Sequence, residues 1–288
     1  MRILLTGALG MLGQDIAEVF TSAGHEVIAT DRAQLDITDH QAVERTLDTH
    51  RPDAIINAAA YNFVDKVEDP AVYPFAYAVN ATGPGNLAAA AAARAIPFVH
   101  YSTDYVFAGN KQSGYIEDDA PDPISKYGQT KALGEEAVKA AGGTWFIVRL
   151  SKIFGRPGAS DLSKESFVRL MLRLAKEKPS LQIVDEEEGC PTYTKDVADS
   201  TLQLLADKWP TGIYHLVNEG AGVTWFGFAQ EIFDIANITT QRTAVHADAF
   251  APRPAARPKF ARLINTKAHK LRPRIDALKE FLASDGLI

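Results

Sequence analysis

The feature that most constrains this chain is an alternation of short apolar runs with stretches of helical period across its first half. Arg2–Thr6 is an apolar run, Met11, Leu12, Ile16, Ala17 and Phe20 then recur at helical spacing until Gly24, and His25–Thr30 reads as a second strand. Asp53–Asn57, Pro97–Tyr101 and Trp145–Leu150 repeat the strand pattern. Between them, Val72–Ala95 is helical, with a break expected near Gly83-Pro84-Gly85, and a further helix begins near Tyr127 with Ala132, Leu133 and Val138. Nearly all-apolar strands separated by helices require a parallel sheet covered on both faces, so the fold class is α/β, a doubly wound (Rossmann) sheet. After Arg149 the alternation lapses. Ser166–Lys178 is helical, Gly189–Thr192 a loop, Lys195–Ala206 a helix and Gly212–Val217 a strand. In the 288-residue chain, residues 1–150 are therefore expected to form the nucleotide-binding domain. Residues 151–288 form a smaller, mainly substrate-binding region, part of which (194–217) returns to the sheet.

The turn between the first strand and helix carries glycines at 7, 10 and 13, and Asp31 follows at the end of the second strand. Glycine lets the backbone turn tightly and approach a pyrophosphate, whose charge rests on the helix N-terminus. The acid then accepts hydrogen bonds from the adenosine ribose. Asp31 disfavours a 2′-phosphate while the adjacent Arg32 pairs with one, so NADPH and NADH both remain open as cofactors.

Tyr127 and Lys131 are four apart on one helical face, downstream of a strand ending in Ser102-Thr103-Asp104. A phenol with a pKa near ~10 is a poor acid unless its anion is stabilised. A nearby ammonium lowers that pKa, and a hydroxyl can hold both the tyrosine and a substrate oxygen. These are the parts needed to protonate a carbonyl oxygen while a nicotinamide delivers hydride to its carbon. Asn80 either orients a water or the backbone near Lys131 or caps a helix. Asp104 either touches substrate or caps a turn.

Net charge is −6 and the isoelectric point 5.7, which argues against nucleic acid or an anionic membrane as partner. A single cysteine, Cys190, excludes an intramolecular disulfide and a multi-cysteine zinc site, and points to a reducing cytoplasm. The N-terminal apolar run is too interrupted for a signal peptide, and no stretch approaches the ~18–20 apolar residues of a membrane span. Glu186-Glu187-Glu188 reads as a solvated loop rather than a ligand set, so no metal site is assigned.

The segments Gly7–Gly13, Leu35-Asp36-Ile37-Thr38, Asn57–Tyr61 with Val64–Glu68, His100–Phe107, Tyr127–Lys131, Phe167–Glu177, Gly189–Thr192 and Arg257-Pro258 together resemble the extended short-chain dehydrogenase/reductase family. Within it they resemble the dTDP-4-dehydrorhamnose reductase branch, over nearly the whole chain. The resemblance implies NAD(P)H-dependent reduction of the C4 keto group of a dTDP-4-dehydro-6-deoxy sugar, for polysaccharide biosynthesis. It implies that Tyr127 is the acid, that Lys131 supports it and binds the nicotinamide ribose, and that Thr103 meets the sugar. Cofactor contacts would come from Gly7, Gly10, Met11, Leu12, Gly13, Asp31, Arg32, Asp36, Ile37, Ala59, Ala60, Tyr61, Tyr127 and Lys131. Arg257 would hold the diphosphate. Some relatives depend on Mg²⁺ at a dimer contact, which the sequence does not locate, and both a monomer and a homodimer are compatible with it.

Two positions depart from the family pattern. Lys152 stands where a substrate-binding tryptophan is usual, so its ammonium is expected to reach a diphosphate or a polar sugar. Ala261 stands where a serine is usual. An epimerase on the same scaffold and a non-catalytic regulatory subunit are the alternatives. A dehydratase would need Thr-Asp-Glu, and here Tyr105 follows Thr103-Asp104.

Overall fold

A computed structural model describes residues 1–160 and 163–288. The first half runs β1 (Arg2–Thr6), α1 (Met11–Ser22), β2 (Glu26–Thr30), α2 (His40–His50), β3 (Ala54–Asn57), α3 (Tyr73–Tyr77), α4 (Gly83–Ala93), β4 (Phe98–Thr103), α5 (Lys126–Ala141) and β5 (Trp145–Leu150). The second half continues with β6 (Ile153–Phe154), α6 (Phe167–Glu177), β7 (Ser180–Val184), β8 (Thr192–Tyr193), α7 (Thr194–Ala206), β9 (Gly212–His215) and β10 (Asn218–Glu219). It ends with α8 (Trp225–Ile235), β11 (Gln241–Val245), β12 (Leu271–Pro273) and α9 (Arg274–Ser284). Six strands form a parallel sheet in the order β2-β1-β3-β4-β5-β9.

Strand side chains alternate between faces, and both faces are apolar and covered. Ile3, Leu5, Ile56, Val99 and Val148 pack under α1 and α7 through Leu12, Ile16, Phe20, Val197 and Leu204. Leu4, Ile55, Phe98 and Ile147 point the other way, against Val43, Leu47, Leu87, Ala91 and Val138. The sheet is thus doubly wound. Each such side chain withdrawn from water contributes about 1.5–3 kcal/mol before entropy is counted. The carboxyl ends of these strands meet along one edge, where an open α/β sheet binds its ligands.

The helical stretch of residues 73–93 is not broken at Gly83-Pro84-Gly85. It passes from α3 through a π turn over Ala78–Thr82 into α4, whose first turn accommodates Pro84. Gly83 is needed for packing rather than for a break, because a Cβ there would lie 2.6 Å from Ile37 Cδ1.

A second core lies beyond the sheet. Phe154, Val168, Met171, Leu181, Ile183, Phe228, Ile232, Phe233, Leu278 and Phe281 bring together α6, α8, α9 and the parallel pair β7/β11. Its helices have identifiable starts: Ser166 caps α6 through Arg169 N–H, and Thr224 caps α8 through Gly227 N–H. The strand pair and the last two helices add elements that the alternation in the first half does not announce. No helix among the described residues is long and apolar enough to cross a membrane.

Candidate active site

The β1–α1 turn is fixed by close backbone approach. Gly7 adopts φ +69°, and a Cβ there would lie 2.5 Å from the Ala59 nitrogen. A Cβ on Gly13 would lie 2.2 Å from the Gly7 carbonyl oxygen. Gly10 occupies the N-cap of α1 and supplies no side-chain cap, so the first-turn N–H groups at Met11, Leu12 and Gly13 keep their positive end for an anion. A pyrophosphate fits this cradle. At the neighbouring strand end, Asp31 accepts the Arg32 N–H at 2.6 Å, and the Arg32 guanidinium lies over the exposed Phe75 ring, 4.8 Å from its centroid. Asp36 accepts both the N–H and the hydroxyl of Thr38, which holds its carboxyl below the usual range, and Ile37 is buried beneath this loop.

The Ala59–Tyr61 stretch lies beside the glycine turn and is clamped at both ends. Asn57 Oδ1 accepts the Ala59 N–H at 3.1 Å. Asn80, fully buried in the π turn, accepts the Tyr61 N–H at 2.8 Å and donates to the Tyr61 carbonyl and to Thr130 Oγ1, each at 3.0 Å. Asn80 therefore caps no helix; its side chain ties the cofactor-side loop to α5.

Tyr127 and Lys131 occupy the first turns of α5, which Ser125 caps through the Gly128 N–H at 3.1 Å. Gly128 lets the helix touch the loop after β4, since a Cβ would lie 2.2 Å from the Tyr105 carbonyl oxygen. Tyr127 is 8% exposed and packs edge-on against Tyr105. Burial, with Asp104 nearby, pushes its hydroxyl above the usual phenol value, while the Thr103 hydroxyl works in the other direction. Lys131 donates to the Tyr101 carbonyl at 2.7 Å and approaches His100 Nε2 at 3.4 Å, and burial brings its pKa down to about 8. Thr103 ends β4 and donates to Asp104 Oδ1 at 3.0 Å, and Ser151 donates to Asp104 Oδ2 at 2.6 Å. Burial still raises the Asp104 carboxyl to about 6. The structure thus brings Thr103, Asp104, Tyr127 and Lys131 together at the carboxyl edge of β4, near the glycine cradle.

Lys152 and Arg257 are placed differently from the sequence expectation. Lys152 follows β5 in a left-handed conformation, φ +44°. Its ammonium donates to the carbonyls of Glu187 at 2.5 Å and Val223 at 3.2 Å, and lies over Trp225, 4.1 Å from the ring centroid. Those contacts orient it into the protein, and Trp225 brings an aromatic face to the same corner. The Arg257 guanidinium forms a bidentate pair with Asp65, at 3.0 and 2.6 Å, so in this arrangement it clasps the first half rather than standing free for a diphosphate. Glu186–Glu188 is not a solvated loop: Glu187 is buried and accepts Trp225 Nε1 and Arg253, and Glu188 pairs through its backbone with Lys259 and Ala261. Ala261 is buried there. Between this segment and a strap of chain over residues 251–262 opens a cavity of about 460 Å³, lined among others by Glu186, Glu187, Asp248, Arg253, Arg257 and Lys259.

Residues that sequence reading passed over include Asn57 and His100, polar positions inside two otherwise apolar strands, and the buried pair Glu135–Arg149. A polar side chain in a fully covered strand is itself a signal, because it requires a partner. Among the described residues, no group of three or more His, Cys, Asp or Glu side chains is arranged to hold a metal ion.

The family described as the RmlD substrate binding domain matches residues 1–284. The chain belongs to that family. The dTDP-4-dehydrorhamnose reductase of Mycolicibacterium smegmatis is 37% identical over 98% of this chain and 85% of its own. Two solved structures share the fold at a TM-score of 0.91. A dTDP-4-dehydrorhamnose reductase from Clostridium acetobutylicum is 37% identical over 99% of this chain and 100% of that one. The Bacillus anthracis dTDP-4-dehydrorhamnose reductase, in complex with NADP, is 33% identical over 98% and 99%.

Proposed function

We propose that this RmlD-family chain reduces the C4 keto group of dTDP-4-dehydro-6-deoxy-L-mannose to dTDP-L-rhamnose, using NADPH or NADH, in the cytoplasm. The observation that carries the reading is the convergence of Tyr127, Lys131 and Thr103 at the carboxyl edge of β4, beside a glycine cradle built for a dinucleotide. The names of the reductases at 33–37% identity support the same substrate class. In this reading residues 1–150 hold the dinucleotide and 151–288 mainly hold the sugar nucleotide.

The nicotinamide, when bound, supplies the hydride. Gly7, Gly10 and Gly13 would admit its pyrophosphate to the N-terminus of α1, Asp31 would accept hydrogen bonds from the ribose, and Arg32 would pair with a 2′-phosphate. Tyr127 gives its proton to the C4 oxygen as that oxygen gains charge. Burial raises the phenol pKa in the free enzyme, which keeps this proton in place before reaction but makes the hydroxyl a weak donor, so its anion must be stabilised as the proton leaves. Lys131, when protonated, stabilises the phenolate left behind, and Thr103 holds the substrate oxygen against Tyr127. The cavity lined by Arg253, Arg257 and Lys259, together with Glu186, Glu187 and Asp248, is where the nucleotide end of the substrate would lie, its phosphates on the three basic side chains. For Arg257 this requires exchange of Asp65 for phosphate oxygen.

The decisive assay mixes purified protein, NADPH and dTDP-4-dehydro-L-rhamnose and follows loss of reduced cofactor together with the sugar product by chromatography and NMR. Stoichiometric dTDP-L-rhamnose is expected. Conversion without consumption of reductant would indicate an epimerase instead, and no conversion would reject the assignment.

A further inference from the structure

Lys131 reaches beyond its own helix into a buried chain of polar groups. Thr6 Oγ1 donates to Asn57 Oδ1 at 2.7 Å, and the Ala59 N–H donates to the same oxygen at 3.1 Å. Asn57 Nδ2 stands 3.1 Å from His100 Nδ1, and His100 Nε2 stands 3.4 Å from Lys131 Nζ. Thr6, Asn57 and His100 sit on β1, β3 and β4, three adjacent strands, and Asn57 and His100 are fully buried.

The direction of this chain follows from one group that has no choice. A backbone N–H is only a donor, so the Ala59 N–H fixes the carbonyl oxygen of the Asn57 amide on its own side. The amide NH₂ must then face His100 Nδ1, which must accept. A neutral imidazole accepting at Nδ1 carries its proton on Nε2, the nitrogen aimed at Lys131. An imidazolium would set a donor against a donor at Asn57 and a cation against Lys131. Burial and Lys131 both oppose that form, holding the His100 pKa well below the usual histidine value.

We propose that His100 is a positioning residue, locked by Asn57 as the Nε2–H tautomer, that aims a donor at Lys131 Nζ and loosens the hold of the lysine on its proton. The amine form of Lys131 accepts the His100 N–H, whereas the ammonium meets it head-on. The chain also joins the lysine to the Ala59–Tyr61 stretch, so the cofactor-side loop and the proton machinery share one set of hydrogen bonds. The remaining charges around the lysine act the other way or are neutralised. Glu135, one turn along α5, strengthens the hold on the proton, but its carboxylate is bound by Arg149 of β5 at 2.9 and 2.7 Å. Tyr127 is neutral, and Asp104 faces Tyr127 and Lys152. The inference rests on Tyr127 and Lys131 serving the reduction.

Two measurements test it. The chain has seven histidines, and ¹⁵N-histidine long-range correlation spectra of the intact protein report each tautomer. One signal, absent from His100→Phe, is expected to be a non-titrating Nε2–H imidazole; an Nδ1–H tautomer or an imidazolium overturns the proposal. In kinetics, His100→Phe is expected to move the alkaline limb of kcat/KM for reduction up by about one pH unit. Its affinity for NADPH, followed by cofactor fluorescence, should hold. A folded variant that loses only thermal stability, with its pH limb unmoved, also overturns it. If His100→Phe does not fold, the wild-type signal is assigned by its coupling to the Lys131 side chain, and the tautomer alone decides. Lys131→Met run alongside keeps the two readings apart: near-normal turnover there rejects the role of the lysine in reduction, while the tautomer reports on His100 and Asn57 alone.

Discussion

Tyr127 shows how little separates a buried aromatic from an acid. Its ring belongs to a small apolar cluster with Val67 and Ala76, and only the hydroxyl distinguishes it from phenylalanine. Tyr127→Phe should therefore fold and bind NADPH as before, yet lose about 10²–10⁴-fold in kcat, the usual contribution of general acid catalysis. Near-normal kcat in steady-state assays would exclude the role. Asp104 gives a pH prediction of defined sign. Its carboxyl is raised from an unfolded value of 3.8 to about 6, so between those pH values the folded state binds more protons than the unfolded one. Its contribution to stability is full below pH 3.8, declines as pH rises towards 6, and is lost above it. Asp104→Asn removes the titration and keeps an acceptor oxygen for only one of the Thr103 and Ser151 hydroxyls, a loss that does not vary with pH, so denaturation midpoints of the variant relative to wild type should improve from pH 4 to pH 7. A constant difference across that range would show that Asp104 does not titrate there. Tyr127 and Lys131 were legible because their spacing stands out in sequence. Asn57 and His100 were not, because each looks like one polar interruption in an apolar run, and only the sheet register brings them together across 43 residues.

At the scale of elements, strands and helices of the first half could be read because parallel strands buried on both faces leave unbroken apolar runs. The second half showed β9 but hid its other strands. β7 and β11 are five residues each, and β11 is largely exposed, so it is held by its ladder with β7, whose Leu181 and Ile183 reach the second core, rather than by its own pattern. The π turn was also illegible, since Gly83-Pro84-Gly85 reads as a breaker until Ile37 is seen to occupy the space that Gly83 leaves. The strap around Arg257 makes a testable element. It is held to the first half by Asp65, which takes the guanidinium at two points and the Ala255 N–H at 3.2 Å. Because Asp65 is more than a third exposed, solvent screens the pair and its worth is about 1 kcal/mol or less. Asp65→Ala should hardly change the melting temperature, but amide exchange across residues 251–262 should quicken several-fold. Unchanged exchange there would mean that the strap is held by its backbone bonds at Gly109 and Glu188 alone.

Across the whole molecule, segments from both halves meet around one buried thiol, in a small cluster of its own with Val106, Phe107, Tyr115, Ala132, Val217 and Leu263. Cys190 is 3% exposed; its N–H bonds Ser151 beyond β5, and its Sγ reaches the Leu263 carbonyl beyond the strap. The seam between these segments of the two halves therefore closes over the single cysteine of the chain. Burial pushes the thiol from 9.0 up to about 11, which alone lowers its thiolate fraction near pH 8 by about a hundredfold relative to the unfolded chain. Modification by a disulfide reagent should thus be at least that much slower in the native protein than in denaturant, and its rate should report how often the seam opens. The proposed sugar-nucleotide cleft is bordered by the segment just before Cys190 and by the strap, so a bound nucleotide would bridge the two halves and hold the seam shut. dTDP should then slow labelling several-fold in a saturable manner, whereas NADPH, seated on the first half, should slow it less. Labelling as fast as in denaturant would reject the buried seam. Equal protection by both ligands would place the nucleotide end of the substrate away from the strap.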